Sequence, residues 1–527
     1  MLRFLVLAFA LALLIIGGFL TAAVSPWWLW LSLPAMFVVG VGVWDLLQTK
    51  HSVLRNYPVM GHFRFWFESV RPEFQQYFIE SDTDGRPFDR VARSLVYERA
   101  KGANQEKAFG TELDVYEIGQ EFLVHSMAPR IMPSTPHRVV VGGPQCRQPY
   151  SMALLNVSAM SFGSLSANAV LALNKGAKLG GFAHDTGEGG LSRYHLEPGG
   201  DLVWEIGSAY FGCRTASGAF DVEQFAEKAS SDQVKCISIK LSQGAKPGIG
   251  GVMPAAKMTL EIARARGVPV GVKCVSPAAH SAFEGPTGLM EFVALLRERS
   301  GGKPTGFKLC VGNPVEFLSV CKAILATEIL PDFIIVDGSE GGTGAAPVEF
   351  EDHMGMPLTN GLIFVHNALI GIGVRDRVRI GASGKIASGA DIVKRLIQGA
   401  DYTNAARAMM MALGCIQAQR CHTNTCPVGV TTQDPIRTRA LVISDKARRV
   451  ARFQEETVAS AAQLIAAMGL AGPEELRPNL LMRRTGDHTV RRYDEIHHPL
   501  TAGQLLSDPP GWWANHWGRA RADRYGH

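Results

Sequence analysis

Cys415, Cys421 and Cys426 stand within twelve residues in "CIQAQRCHTNTCPVGV", and a proline follows the last of them. The other six cysteines are scattered singly through the chain. A Cys-x5-Cys-x4-Cys-Pro spacing offers three soft ligands close together, which suits an iron–sulfur cluster, zinc or copper(I). A proline after the final cysteine also ends the bacterial ferredoxin ligand run. Without a nearby fourth cysteine, a three-iron cluster fits better than a four-thiolate site. Zinc would require His422, and two adjacent ligands, Cys421 and His422, would share an awkward geometry. The inert alternative is three unligated buried thiols, a crowding that random placement rarely yields.

The elements that must position these thiols begin near Leu154. Short apolar runs recur from there, each followed by glycine or small polar residues and then a helical stretch. The runs are "LLNVSAM", "GGFAHD", "CISIKLS", "VPVGVKCVS", "TGFKLCV", "DFIIVDG", "RVRIGAS" and "ADYTNAA". Eight strands alternating with helices predict an α/β fold, a parallel (β/α)8 TIM barrel, with a doubly wound open sheet as the alternative. No G-x-G-x-x-G follows the first run, which weakens a dinucleotide-binding reading. The cysteine trio falls just beyond the eighth run.

In such a barrel the chemistry sits on the loops after the strands. Those loops read "SAMSFGSLS", "DTGEGGLSRYH", "KLSQGAKPGIGG" and "DGSEGGTGAAP". Glycine at this density lets backbone amides approach a flat or phosphorylated ligand. The seventh and eighth ends, "IGASGKIASGAD" and "NAARAMM", occupy the positions where barrels commonly hold phosphate, and Arg407 adds a cation there. Lys308, inside the fifth run, would point an ammonium into the barrel mouth, or else form a structural ion pair. Flavin mononucleotide (FMN) meets these demands: a phosphate cradle, glycine-lined ring faces and a cation near the electron-rich end of the ring.

The bulk composition sets limits. With 527 residues, 46% hydrophobic and 19% charged, the chain is neither disordered nor fibrous. A net charge of +5, without an Arg/Lys stripe interleaved with aromatics, argues against nucleic acid. Nine cysteines without framework spacing suggest a reducing compartment. Phe4 to Val24 carries no charge and is long enough to span a bilayer; Trp27 to Trp44 is a second such stretch, with tryptophans at its ends. Together they predict a transmembrane hairpin over residues 1–46, a cleaved signal peptide being the alternative. Arg3 before the hairpin, and Lys50 and Arg55 after it, place both ends and the catalytic domain in the cytoplasm. A mixed helical segment at 47–140, with a turn at "DTDGRP", leads to the barrel at 141–440. A helical extension at 441–527 ends in the tail "GWWANHWGRARADRYGH", suited to a membrane surface or to packing on the barrel.

Together, "MSFGSLS", "TGEGG", "QGAKPGIGG", "GGTGAAP" and "GCIQAQRCHTNTCPVGVTTQ" resemble, in collinear order over roughly Leu154 to Gln433, the flavin- and iron–sulfur-containing synthase domain of glutamate synthase. The chain resembles the stand-alone, membrane-anchored members of that family. It implies FMN, a [3Fe-4S] cluster on Cys415, Cys421 and Cys426, and reductive amination of 2-oxoglutarate to glutamate by hydride from the reduced flavin. Glu188 matches the glutamate of the family's GEGG loop, near where ammonia is delivered. Lys240 and Gln243 match residues lining the oxoacid pocket, and Lys246 shares their loop. Ser161, Lys308, Gly341, Gly342, Gly384 and the segment Asn404 to Arg407, with Ala406, match flavin contacts. For a dicarboxylate substrate, Lys240, Lys246 and Arg193 are the cations available near the mouth. Glu188 is expected to take a proton from ammonium, or to cap a helix. His184, His195, His280 and His422 are expected to be satisfied polar groups.

The departures concern the substrate. Leu191 and Ser192 replace two acids, Ile249 replaces a glutamate, and Asn404 and Ala406 replace phosphate-site glycines of the family pattern. An amidotransferase domain and a nicotinamide-binding domain are not visible. Free ammonia or a separate amidotransferase would then supply nitrogen, and a ferredoxin-like protein or other reductase would supply electrons. Two alternatives stand beside this expectation: an N-alkyl amino acid synthase using an amine, and a membrane-bound electron-transfer subunit.

Overall fold

A computed structural model describes residues 4–103 and 105–526. The chain divides into two compact units, Met1–Asp89 and Arg90–His527. In the first, α1 (Leu5–Ala23) and α2 (Leu29–Leu47) form a hairpin, turned by Ser25 and the short 3-10 helix Pro26–Trp28. Both arms are long and apolar enough to cross a membrane, and most of their surface is not buried in protein. They meet at small residues: a Cβ on Gly17 would lie 3.2 Å from Ser32, and one on Gly42 2.5 Å from Leu7. Such close backbone approach is how helices associate in lipid. Arg3 lies outside the described residues. A further helix, α3 (Gly61–Phe74), runs on through a π-helical turn to Ile79, ahead of the turn expected at "DTDGRP".

The second unit is built on a closed parallel barrel of eight strands. They are β1 (Leu155–Val157), β2 (His184–Asp185), β3 (Leu202–Ile206), β4 (Val234–Lys240), β5 (Thr305–Leu309), β6 (Phe333–Asp337), β7 (Arg379–Ser383) and β8 (Tyr402–Ala405). Pairing of Thr403 with Leu155 closes the ring. One strand differs from expectation. The run "VPVGVKCVS" is not a barrel strand; its Cys274–Val275 pairs antiparallel with Val252–Met253 in a small hairpin on the excursion after β4. Val270, Val272 and Val275 are exposed there, so the run's apolarity is spent at the surface. The true third strand, Leu202–Ile206, carries Glu205, a charge that broke the apolar pattern and is buried inside the barrel.

The floor of the barrel is apolar. Val141, Tyr150 and Met152, from the hairpin Arg138–Val141/Tyr150–Ala153, pack against Val203, Cys236, Ile335 and Tyr402. Beside this floor Asp332 accepts from Gly143 N (2.6 Å), Thr305 N (2.8 Å) and Arg297 Nε (2.9 Å). A 25-residue helix, Ile443–Ala467, lies against Ala167–Gly180; a Cβ on Gly176 would meet Val450 at 2.8 Å. The tail packs over the barrel, with Trp513 stacked on Phe364 at 5.3 Å and Lys322 over Trp517 at 4.9 Å. Because removing one partner strands a buried charge, Asp332→Ala is expected to cost about 3–5 kcal/mol, seen as a lower urea midpoint followed by intrinsic fluorescence.

Candidate active site

Above the apolar floor, the middle of the barrel is ionic. Lys308 is buried and ion-paired with Glu205. Burial works against its ammonium, but Glu205, Asp185 and Asp337 more than offset this and hold it above the ordinary lysine range. Burial raises Asp185, reinforced by Glu205 and opposed by Lys308. Burial raises Asp337 too, again opposed by Lys308. Of the two expectations for Lys308, the structure shows the ion pair, at the carboxyl end of β5 beneath the mouth. These acids also hold the loops above them. Asp185 accepts from Gly187 N (2.9 Å) and Asp337 from Gly244 N (2.8 Å).

Those amides belong to the two loops that carry the expected substrate residues. Glu188 follows Gly187 and pairs with Lys240 at 3.2 Å, both side chains being nearly buried. A Cβ on Gly207 would meet Glu188 Cβ at 2.7 Å, and a Cβ on Gly251 would overlap its carboxylate. The two glycines therefore leave the space that this acid fills. Burial pushes the Glu188 carboxyl up, but Lys240, Arg266 and Lys246 bring it below its usual range. Gln243 donates to Thr343 (3.2 Å) and Lys246 to the Ala345 carbonyl (2.9 Å), both on the loop after β6. Burial, with help from Lys240, lowers Lys246 to about 8.

Arg193 is not brought to this cluster. Its side chain is 72% exposed and pairs with Glu261 at 2.8 Å. The cation found instead is Arg266, buried at the end of helix Leu260–Arg266, donating to Ser161 Oγ (3.3 Å) and lying 4.9 Å over the Phe211 ring. Sequence reading missed it because it lies beyond the motif loops, on the excursion after β4. His280 donates through Nε2 to the Lys240 carbonyl (2.9 Å) and contacts Tyr210 OH through Nδ1 (3.2 Å), a satisfied group as expected. His184 and His195 are buried side by side at 5.3 Å and held uncharged by burial. His195 meets Ser192 Oγ through Nδ1 (2.9 Å), but neither ring nitrogen of His184 has a hydrogen-bond partner among the described residues, against the expectation of a satisfied group.

The remaining cofactor candidates gather at the ends of β6, β7 and β8. Gly342 packs on Arg407, where a Cβ would lie 2.7 Å from Nε, and Arg407 donates to the Glu340 carbonyl. Gly341 N donates to Gly338 O (2.8 Å). Gly384 has φ +152, and Asn404 is the penultimate residue of β8, two before Ala406, which caps the helix Arg407–Leu413. A Ser158–Ser383 hydroxyl contact (3.2 Å) links the ends of β1 and β7. Bare backbone at three positions, a guanidinium and the Lys308 layer below are a donor set that fits a phosphorylated planar ring.

The cysteine loop joins the same rim. Gln433 donates to Gly163 O and Leu165 O (both 3.1 Å) after β1, and Asn424 to Ala256 O (3.2 Å) after β4. Gln417, Gln419 and Asn424 adopt φ of 56, 53 and 64, a left-handed backbone that non-glycine residues rarely take. Burial lifts the Cys415 thiol to about 12, with Cys421 and Cys426 adding to it. Burial also raises Cys426, but the Thr431 hydroxyl and the amides of Thr431, Val428 and Val430 bring it below the ordinary thiol range. Burial raises Cys421 as well, and the three thiols are a soft donor set of the kind iron, zinc or copper(I) would take. Among the described residues no set of three His, Cys, Asp or Glu side chains stands as a closed metal centre. His422 is exposed.

Residues 129–471 match the family model described as "Conserved region in glutamate synthase". The chain is 35% identical to the glutamate synthase large subunit-like protein YerD of Bacillus subtilis (strain 168), over 90% of this chain and 97% of that protein. The chain belongs to the glutamate synthase family. The region matched to that family contains every expected site residue from Ser161 to Cys426. The archaeal-type glutamate synthase [NADPH] of Thermotoga maritima is 34% identical over 63% of this chain, and the chain spans 62% of that protein's length. Among solved structures, a mandelate oxidase mutant with a monooxide FMN adduct aligns at TM-score 0.41 and 14% identity, over 80% of this chain and 99% of that one; it is too distant to bear on function. Since a side chain at 251 must displace the Glu188 carboxylate, Gly251→Ala is expected to lower turnover at least tenfold while circular dichroism reports an intact barrel.

Proposed function

We propose that this member of the glutamate synthase family reductively aminates 2-oxoglutarate to L-glutamate, using FMN and a [3Fe-4S] cluster. The observation that carries this reading is the charge pattern at the mouth. Lys240, Lys246 and Arg266 surround one carboxylate, Glu188, an excess of cations suited to a dicarboxylate. When bound, FMN supplies hydride and the cluster a one-electron relay that reloads it. Ser161, Lys308, Gly341, Gly342, Gly384, Asn404, Ala406 and Arg407 would hold the flavin, and Cys415, Cys421 and Cys426 the iron.

The chain's own groups bind substrate and manage protons. Lys240 and Lys246 hold the two carboxylates of the oxoacid, and Gln243 orients the group between them. Glu188, deprotonated at neutral pH, takes a proton from ammonium, so that ammonia adds to the carbonyl carbon. Loss of that oxygen as water gives 2-iminoglutarate, and addition of hydride and a proton gives glutamate. Nitrogen comes from free ammonia or a separate amidotransferase, and two electrons per turnover come from an external reductase. The hairpin α1–α2 anchors the protein, which its exposed apolar surface supports, and Lys50 and Arg55 after it favour a cytoplasmic catalytic unit.

Purified protein, supplied with 2-oxoglutarate, ammonium and reduced dye, is expected to form glutamate. An N-alkyl product made only from amines would transfer the site to amine chemistry, and no product from any amine would leave an electron-transfer subunit. Lys246 loses its charge as pH rises through about 8, so kcat/KM for the oxoacid is expected to fall above that pH. Lys246→Gln should lower kcat/KM and flatten that limb. Arg266→Gln is expected to raise KM roughly ten- to a hundredfold, the effect of losing about 1.5–3 kcal/mol of charged hydrogen bonding. Arg193→Ala should stay within about twofold of wild type, the two variants being compared by steady-state kinetics.

A further inference from the structure

The helix α3 and the π-helical turn after it carry an exposed apolar stripe. Phe63, Trp66, Phe67, Val70, Phe74 and Tyr77 recur at helical spacing, on one face. The five aromatics among them are 51–59% exposed. Within it Trp66 touches Phe67 at 4.9 Å, and at its end Phe74 touches the neighbouring Phe78 at 5.5 Å. A contiguous exposed aromatic face of this size marks an interaction surface.

The start of α3 is fixed to the end of α2. Asp45, fully buried two residues before that helix ends, accepts from Val59 N (2.8 Å) and pairs with His62 Nε2 (2.9 Å). At 1.5 Å per residue, Asp45 lies about 3 Å from the end of the apolar span. The first turn of α3 is thereby held at the depth where that span stops. Aromatic side chains favour this depth, and Arg64 and Arg71, set beside the stripe at helical spacing, suit headgroup phosphates. Lys50 and Arg55 add cations to the same junction.

We infer that the aromatic face of α3 and its π-helical turn lies in the bilayer interface, as a foot fixed to the hairpin by Asp45 and His62. This rests on the anchoring role of the hairpin proposed above, and it goes further by giving the membrane a second, in-plane contact whose partner is lipid at headgroup depth.

The test uses the full chain in liposomes containing lipids brominated either near the headgroup end or near the middle of the acyl chain. The fluorescence of Trp66 is obtained as the difference between wild type and Trp66→Phe. The inference expects this component to be quenched at least twofold more strongly by shallow bromine than by deep bromine, and weakly by aqueous iodide. A Trp66 component untouched by lipid bromine, while the remaining tryptophans are quenched, would overturn the inference and leave the hairpin anchored. Absence of lipid quenching from every tryptophan would remove the anchoring itself, and the inference with it. A Phe67→Ser/Phe74→Ser variant should stay in the membrane through its hairpin but lose the shallow quenching of Trp66; unchanged quenching would contradict the role given to the stripe.

Discussion

An ammonium buried in a β-barrel must be neutralised where it stands, and the Lys308 charge is met by Glu205, with Asp185 and Asp337 close by. The idealised cost of moving such an ion into a low-dielectric interior is on the order of 20 kcal/mol, so the carboxylates are a requirement of the fold. They do more than compensate. Asp185 takes the amide of Gly187, next to Glu188, and Asp337 takes the amide of Gly244, next to Gln243. The loops that carry the candidate chemistry thus hang from the buried charge layer by hydrogen bonds.

From that layer upward, the site is assembled by close backbone approach. Gly207 and Gly251 leave room for one carboxylate and no more, while Lys240, Lys246 and Arg266 converge on it. The loop after β6 receives Gln243 and Lys246 from one side and Arg407 from the other. The cysteine loop is tied by Gln433 and Asn424 to segments after β1 and β4. The cations around Glu188, the loop glycines and the thiols therefore share one rim of the barrel, the arrangement that the proposed electron path from a cluster to an oxoacid would require.

Much of this was legible because glycine, lysine and cysteine each leave a local mark. The glycine-rich loops announced strand ends, and the thiol spacing singled out the loop that follows the last strand. Six of the eight strands lay within the apolar runs chosen for them, and a seventh, Val234–Lys240, overlapped its run but began two residues earlier. The third was hidden because Glu205 interrupts Leu202–Ile206, and only its distant partner Lys308 explains a charge there. Conversely, Val268 to Ser276 has strand-like apolarity, yet it serves an exposed excursion, since a strand is decided by what covers it. Arg193 and Arg266 show the same limit for the site. Proximity to a motif suggested the first, while the turn of a helix well beyond the GEGG loop delivers the second.

The central claim is that this rim carries both a flavin and a three-iron cluster. Anaerobic purification of the full chain, followed by flavin, iron and sulfide analysis with electron paramagnetic resonance of the oxidised protein, tests it most directly. The account predicts one FMN and three irons per chain, with a [3Fe-4S] signal that disappears in Cys421→Ser. Protein that folds yet comes out colourless, with neither flavin nor iron, would contradict it.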